Sequence, residues 1–254
     1  GYDAVKAIKP DIIFVHCTGF GQDGPYADLQ AYDDTIQAIS GTATLLPRTD
    51  GNPRPRYLPS LIADKVAGHY GAQAILAALV HTLRTGAGQH VEVPMFEAFT
   101  NFMMTEHLRD AVFDPPIGPA GYPRQIDRER QPFPTADGYI SIVPYTDPKI
   151  IQLFVLLDAP DFLDAHGYST PLDRHLNMTK IYAEVSRLTP TKTTDAWLSI
   201  FAANDMPAIK ICDLEDVVSD PHLVETGFFR MRDHPDSGRF REMAPPIRFS
   251  ADKD

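Results

Sequence analysis

The stretch Pro59-Ser60-Leu61-Ile62-Ala63-Asp64-Lys65-Val66-Ala67-Gly68-His69-Tyr70-Gly71 places one carboxylate, Asp64, at the mouth of a long apolar segment. A carboxylate in that position has a chemical use: it can attack an activated carbonyl as a covalent nucleophile. First-turn N–H groups and the helix dipole would keep it ionised and would meet an oxyanion formed beside it. It has a structural use as well, because aspartate is a preferred N-cap residue worth about 1 kcal/mol with no chemistry attached. Residue type alone leaves both open. The other reactive side chains offer less. His16 and Cys17 are adjacent on an expected strand and so point to opposite faces, and His69 lies five residues beyond Asp64, off its helical face. No metal site is expected from them.

The elements that must hold Asp64 follow from periodicity. From Lys65 to Leu83 the apolar residues recur at helical spacing, and Gly86 stands where a helix would stop. The segment is apolar nearly all round, so a buried helix is expected, with Gly68 and Gly71 admitting a close neighbour. Ile12 to Cys17 reads as a buried parallel strand that runs into Gly19-Phe20-Gly21-Gln22-Asp23-Gly24. That loop matches a dinucleotide fingerprint, but no second strand with an acidic end follows about 20 positions on, and a sharp strand-to-loop turn explains the glycines more simply.

Composition narrows the classes. A formal net charge of −11 over 254 residues argues against nucleic acid or an anionic membrane surface as the main partner. Any anionic ligand would need local basic residues. With only Cys17 and Cys212 there is no disulfide framework, which fits a reducing cytoplasm. No signal peptide is apparent, and the apolar run at Ile75 to Val80 is too short for a bilayer. The chain opens on Gly1-Tyr2-Asp3 and is expected to be a piece of a longer protein.

In order, the chain reads as a short helix over Ala4 to Ile8, the strand, a helix over Tyr32 to Ser40, and a proline-rich basic loop from Pro47 to Pro59 bearing Arg48, Arg54 and Arg56. The long helix follows, then a strand at His90 to Val93 and a helix from Met95 to Leu108. Phe113 to Pro134 reads as a linker. A second unit then begins with a strand at Tyr139 to Val143 and a helix capped by Asp147 and opened by Pro148. Further helices are expected over Arg174 to Leu188 and Thr194 to Ala203, a strand over Ala208 to Ile211, a short helix over Asp213 to Ser219 and a closing hairpin from Phe228. The expected fold is α/β: a partial Rossmann-like large domain (residues 1–105), a linker and smaller α+β domain (106–206), and a segment returning to the large domain (207–254).

Ordered motifs along the chain resemble family III CoA transferases. These are Gly19 to Tyr26 (GFGQDGPY), Tyr32-Asp33, Ala63-Asp64 with Gly68, Arg84 to Val93 (RTGAGQHVEV) with Glu97-Ala98, Thr135 to Tyr139, Asp220 to Leu223, Asp233 to Pro235, and Pro245 to Arg248. The resemblance implies transfer of CoA between an acyl-CoA and a small carboxylic acid. Asp64 would be the nucleophile, passing through an aspartyl anhydride and an enzyme–CoA thioester. Gln30, Ala31, Tyr32 and Asp33 would approach coenzyme A, and Phe20, Gly21 and Gln22 would line the substrate site. It also implies an interlocked homodimer. The family's racemase branch uses a His–Asp pair, and its histidine falls at Tyr32, a poor base at neutral pH, so transfer is favoured over isomerisation. Two departures stand out. The loop Leu29-Gln30-Ala31 lacks a basic residue, and Gly118 to Gln131 is proline-rich and charged where relatives carry a glycine-rich loop. The family's amino-terminal third has no counterpart here, so a truncated, non-catalytic homologue is the rival reading from another class.

Overall fold

The structure is a computed structural model that describes residues 1–251. The chain forms two compact units that divide between Arg130 and Gln131.

In the first unit, α1 (Tyr2–Ile8) leads into β1 (Ile13–Thr18), followed by α2 (Asp33–Ile39), α3 (Leu45–Asp50), α4 (Ile62–Thr85), β2 (Gln89–Pro94) and α5 (Met95–His107). β1 and β2 pair in parallel with Ile13 opposite Gln89 and Thr18 opposite Pro94, so the intervening helices form the crossover that parallel pairing requires. One sheet face carries His16, whose ring stacks on His90, and Tyr2 of α1 stacks on the same imidazole at 5.2 Å between centroids. The other face carries Cys17, whose Sγ lies 3.7 Å from where a Cβ on Gly71 of α4 would stand. The register is pinned at its start: a Cβ on Gly88 would sit 2.2 Å from the Ile12 carbonyl oxygen, so only glycine lets the chain enter β2 this close to the backbone leading into β1.

α4 ends where its sequence says, at Gly86 in the left-handed region (φ 74°), whose N–H donates to the Thr82 carbonyl. It is less buried than its composition implies. Ile75, Leu76, Leu79, Val80 and Leu83 form a stripe at helical spacing that stays exposed, and Gly68 faces open space. β1 likewise is only half-buried, because it pairs with one strand. The basic loop also differs from expectation: Leu45–Asp50 is helical, closed by Gly51 in the left-handed region at φ 74°.

The second unit opens with β3 (Phe133–Pro134) and β4 (Tyr139–Ile142), then α6 (Asp147–Leu156), α7 (Phe162–Ala165), α8 (Pro171–Leu176), α9 (Met178–Leu188) and α10 (Thr194–Ala203). It continues through β5 (Ala208–Lys210) and α11 (Pro221–Glu225) to the hairpin β6 (Phe229–His234) and β7 (Gly238–Met243). β3, β4 and β5 form an antiparallel sheet, with Ile140 and Ile142 turned into a core built on Trp197, Phe154 and Phe201. Trp197 is fully enclosed, and its Nε1–H donates to the Thr189 carbonyl at 2.6 Å, which satisfies the only polar atom that the burial would orphan. β5 belongs to this sheet, so Ala208–Lys210, expected in the returning segment, is part of the smaller unit. Asp147 is not the cap of α6: the cap position is Thr146, and the Asp147 carboxylate instead accepts from Nε of the buried Arg174 at 2.9 Å. The expected single helix from Arg174 to Leu188 is broken at Asn177 into α8 and α9. Among the described residues no helix is long and apolar enough to cross a membrane.

α10 takes a donor-satisfying carboxylate from outside the helix. The Asp137 carboxylate, in the turn before β4, accepts from the Thr194 N–H and hydroxyl at 2.8 and 2.9 Å. These donors, led by the backbone N–H, hold the Asp137 carboxyl below the usual range. The folded state therefore binds this proton more weakly than the unfolded chain, and the stabilisation is complete above the ordinary aspartate range and fades as pH falls through the lowered folded value. Asp137→Asn is accordingly expected to flatten the acid limb of a stability-versus-pH curve for this unit while changing the neutral-pH profile's shape little; an unchanged acid limb would refute the cap. The glycines of the first unit give a contrasting pair. Gly68→Ala, in open space within a helix, is expected to raise stability by roughly 0.5–1 kcal/mol, whereas Gly88→Ala is expected to lower it by about 1–3 kcal/mol through overpacking. Thermal melts of both variants check the signs.

Candidate active site

α4 begins at Ile62, so Asp64 is its third residue and not its cap; the cap position is Leu61, which has no side-chain acceptor. The capping is done from elsewhere in the chain. Asp33, the first residue of α2, turns its carboxylate onto the start of α4, and Oδ1 accepts from the backbone N–H of Ala63 at 2.7 Å and of Asp64 at 3.3 Å. The third first-turn donor is also engaged: Ile62 N–H donates to the Ser60 carbonyl at 2.8 Å, and the first bond internal to the helix then runs from Lys65 N–H to the Leu61 carbonyl at 3.3 Å. The N–H groups of Ile62, Ala63 and Asp64, which a helix start normally leaves open, are thus satisfied within the chain. The expectation that these N–H groups would bind Asp64 or an oxyanion does not hold in this arrangement.

Asp33 is 4% exposed and Gln37, one helical turn on, is fully enclosed. The Gln37 Nε2 donates to Asp33 Oδ2 at 2.6 Å and to the Ser60 carbonyl at 3.2 Å, while its Oε1 accepts from the Leu58 N–H at 2.8 Å. Burying a carboxylate is unfavourable unless its oxygens are hydrogen-bonded, and here both are. Gln37 therefore ties three things together: the capping carboxylate, the strap at residues 58–60, and the face of α2.

Asp64 itself is the opposite case. Its side chain is exposed and makes no hydrogen bond or ion pair among the described residues. Two carboxylates thus sit at one helix mouth, one locked into structure and one exposed without a hydrogen-bond partner.

The glycine loop packs beside them. Phe20 is 3% exposed and shares a core with Ala63, Val66, Ile36 and Phe99, its ring against Tyr26 and Phe96. Ala31 closes on the loop from the other side, so near that a Cβ on Gly19 would fall 2.3 Å from the Ala31 Cβ. The Gly21 N–H donates to Glu97 Oε1 at 3.0 Å and the Gln22 N–H to Glu92 Oε1 at 2.8 Å. A loop whose amides already face two carboxylates is not a phosphate cradle, and the glycines serve close packing. Of the residues singled out from sequence, Phe20, Ala31, Asp33 and Asp64 converge on the start of α4. Phe20 and Asp33 are buried in its support, whereas Gln22, Gln30 and Tyr32 lie at the surface, Tyr32 at 70% exposure. Of the basic-loop arginines, Arg48 donates to the Ala120 carbonyl and Arg56 pairs with Asp50, both at short range.

Sequence reasoning did not single out Gln37 or Glu92. Glu97 was visible only as a motif position. An i, i+4 Asp–Gln pair is a readable signal for mutual support on a helix, and Asp33 with Gln37 has that spacing.

With the site described, the comparisons place the chain. It belongs to CoA-transferase family III, whose sequence profile matches residues 1–253. It is similar to a probable fatty acyl-CoA transferase, Rv3272, of Mycobacterium tuberculosis, at 29% identity over 89% of this chain and 59% of that protein. It is also similar to a succinate–glutarate CoA-transferase of Agrobacterium fabrum, at 27% identity over 89% of this chain and 56% of that one. Among solved structures, a CAIB/BAIF family protein from Brucella suis superposes with a TM-score of 0.74 at 27% identity, covering 99% of this chain and 65% of that one. The crystal structure of Rv3272 superposes with a TM-score of 0.83 at 24% identity, covering 100% of this chain and 67% of that one. The chain spans less than three fifths of the length of these two curated relatives.

The loop's dependence on its two carboxylates is testable. Hydrogen bonds to a charged acceptor contribute about 1.5–3 kcal/mol, so Glu92→Ala with Glu97→Ala is expected to raise the hydrogen-exchange rates of Gly21 and Gln22 by about tenfold or more. Unchanged exchange would show that the carboxylates do not hold the loop.

Proposed function

We propose that this chain carries the nucleophile of a CoA transferase and that the nucleophile is Asp64. The observation that carries the reading is the contrast at the helix mouth: Asp64 is exposed and unpartnered on a helix whose first-turn donors, the N–H groups of Ile62, Ala63 and Asp64, are already satisfied. The family membership and the transferase names of the relatives support it.

In this reaction an Asp64 oxygen attacks the thioester carbonyl of an acyl-CoA, forming an aspartyl–acyl anhydride as the C–S bond breaks and CoA leaves as thiolate. The thiolate attacks the aspartyl carbonyl, forming the enzyme–CoA thioester and releasing the donor acid as carboxylate. An acceptor carboxylate then attacks that thioester, giving a second anhydride and thiolate again. Attack of the thiolate on the acceptor's acyl carbon yields the new acyl-CoA and frees Asp64. No proton need be moved, which fits a site where Tyr32 stands as the exposed neighbour in place of an imidazole base.

Coenzyme A and a carboxylic acid are the proposed substrates, with Gln30, Ala31, Tyr32 and Asp33 proposed to approach coenzyme A and Phe20, Gly21 and Gln22 to line the substrate site; of these Gln22, Gln30 and Tyr32 are exposed. A homodimer is proposed on the same footing, supported by the uncovered apolar stripe of α4. A cytoplasmic location consistent with two free cysteines is a proposal of the same kind.

The test is a trap. After incubation with a panel of acyl-CoAs and reduction with borohydride, mass spectrometry is expected to find Asp64 converted to the corresponding alcohol. Asp64→Asn is expected to abolish the product and to lower transfer on the order of 10⁴-fold or more. No trapped product, combined with α-proton exchange into deuterated water, would overturn transfer in favour of isomerisation. No product and no exchange would favour the non-catalytic reading.

A further inference from the structure

We infer that Asp33 is the positioning residue of this site: its buried carboxylate, braced by Gln37, fixes the first turn of α4 so that the Asp64 carboxylate stays free of backbone donors and aimed outward. The inference rests on the reading of Asp64 as nucleophile and adds a residue that acts through it.

Three observations carry it. The first is saturation. An aspartate at the third position of a helix commonly folds back on the helix's own start, where open N–H groups draw it in. Here Asp33 Oδ1 takes both candidate donors, Ala63 and Asp64 N–H, and the Ser60 carbonyl takes the Ile62 N–H. Asp64 has nothing local to bind. A carboxylate whose lone pairs are not held by donors is the better nucleophile, since a hydrogen bond to the ionised form stabilises the ground state that must be left behind.

The second is charge. The start of α4 bears the partial positive end of the helix dipole, and a buried carboxylate fixed on its N–H groups offsets that charge at closest range. The helix end is thereby stabilised without recruiting the reactive group. The third is rigidity. Gln37 bonds Asp33 Oδ2, the Ser60 carbonyl and the Leu58 N–H, so the capping group, the strap that delivers the chain to α4 and the helix start move as one body. Displacements of about 1 Å at a reacting group cost on the order of 10²-fold in rate.

The experiment separates position from chemistry. Amide hydrogen exchange of the unmodified chain is expected to show Ala63 and Asp64 protected, and Asp33→Ala is expected to remove that protection. Single-turnover formation of the Asp64 adduct is then followed against acyl-CoA concentration. Asp33→Ala is expected to lower the rate at saturation by about 10²-fold, with the half-saturating concentration moved by less than about threefold. Asp33→Asn keeps an acceptor oxygen for the two N–H groups and is expected to recover most of the protection and part of the rate; it also serves where Asp33→Ala does not fold. Arg174→Lys, which weakens the Asp147 pair in the other unit, is the control for lost stability and is expected to leave the saturating rate unchanged. An Asp33→Asn or Asp33→Ala chain that forms the adduct at the unmodified rate would overturn the positioning role while leaving Asp64 as nucleophile. So would unprotected Ala63 and Asp64 amides in the unmodified chain. Absence of adduct in the unmodified chain itself would overturn the nucleophile reading, and the positioning role with it.

Discussion

The arrangement depends on a pair of backbone N–H groups at the start of α4 and on which carboxylate takes them. Asp33 reaches them from another helix across thirty residues of sequence. In doing so it settles the entry of the chain into α4, the place of the 58–60 strap and the freedom of Asp64 together. Without it, the nearest acceptor for those N–H groups would be Asp64 itself. Capping occupies an aspartate's oxygens whereas nucleophilic attack needs them open; here Asp33 caps, and the Asp64 carboxylate is left without a hydrogen-bond partner among the described residues.

The same solution appears in the second unit, where Asp137 caps α10 from the turn before β4 through the Thr194 N–H and hydroxyl. In both units a carboxylate from one element closes the open end of another. Such bonds link segments distant in the chain, and their loss is felt at two elements at once. The buried Arg174 does similar work for α6 and α8, joining Asp147 to the carbonyls of Tyr168 and Ser169.

Much of this was legible beforehand. The α4 boundary at Gly86, the existence of the first two strands, α10 and the closing hairpin follow from periodicity and turn chemistry, which are local. Asp64 could be picked out because a lone carboxylate interrupts an apolar run. What sequence hid was partnership. An aspartate at a helix start looks the same whether it caps its own helix, caps another or stays free, and only tertiary structure assigns Asp33, Asp64, Asp137 and Asp147 to their different tasks. The glycine loop reads as a sharp turn and not as a phosphate site, but its pattern records only where the backbone must pass closely, not what it approaches, and here it approaches Ala31 and Glu97. Burial of α4 was overestimated because an apolar stripe announces a surface to be covered without saying that this chain covers it.

The close pass of Gly88 over Asp11 and Ile12 has a consequence for how this segment can vary. By locking where β2 enters beside β1, it fixes the parity of every residue in the pair. A single inserted or deleted residue between Ile12 and Thr18 would exchange the two faces, driving the His16 imidazole against Gly71, where the Cys17 thiol now has just enough room. A length change between these two points therefore disrupts the packing of β1 on α4. The first strand is a fixed ruler against which the placement of α4 is set.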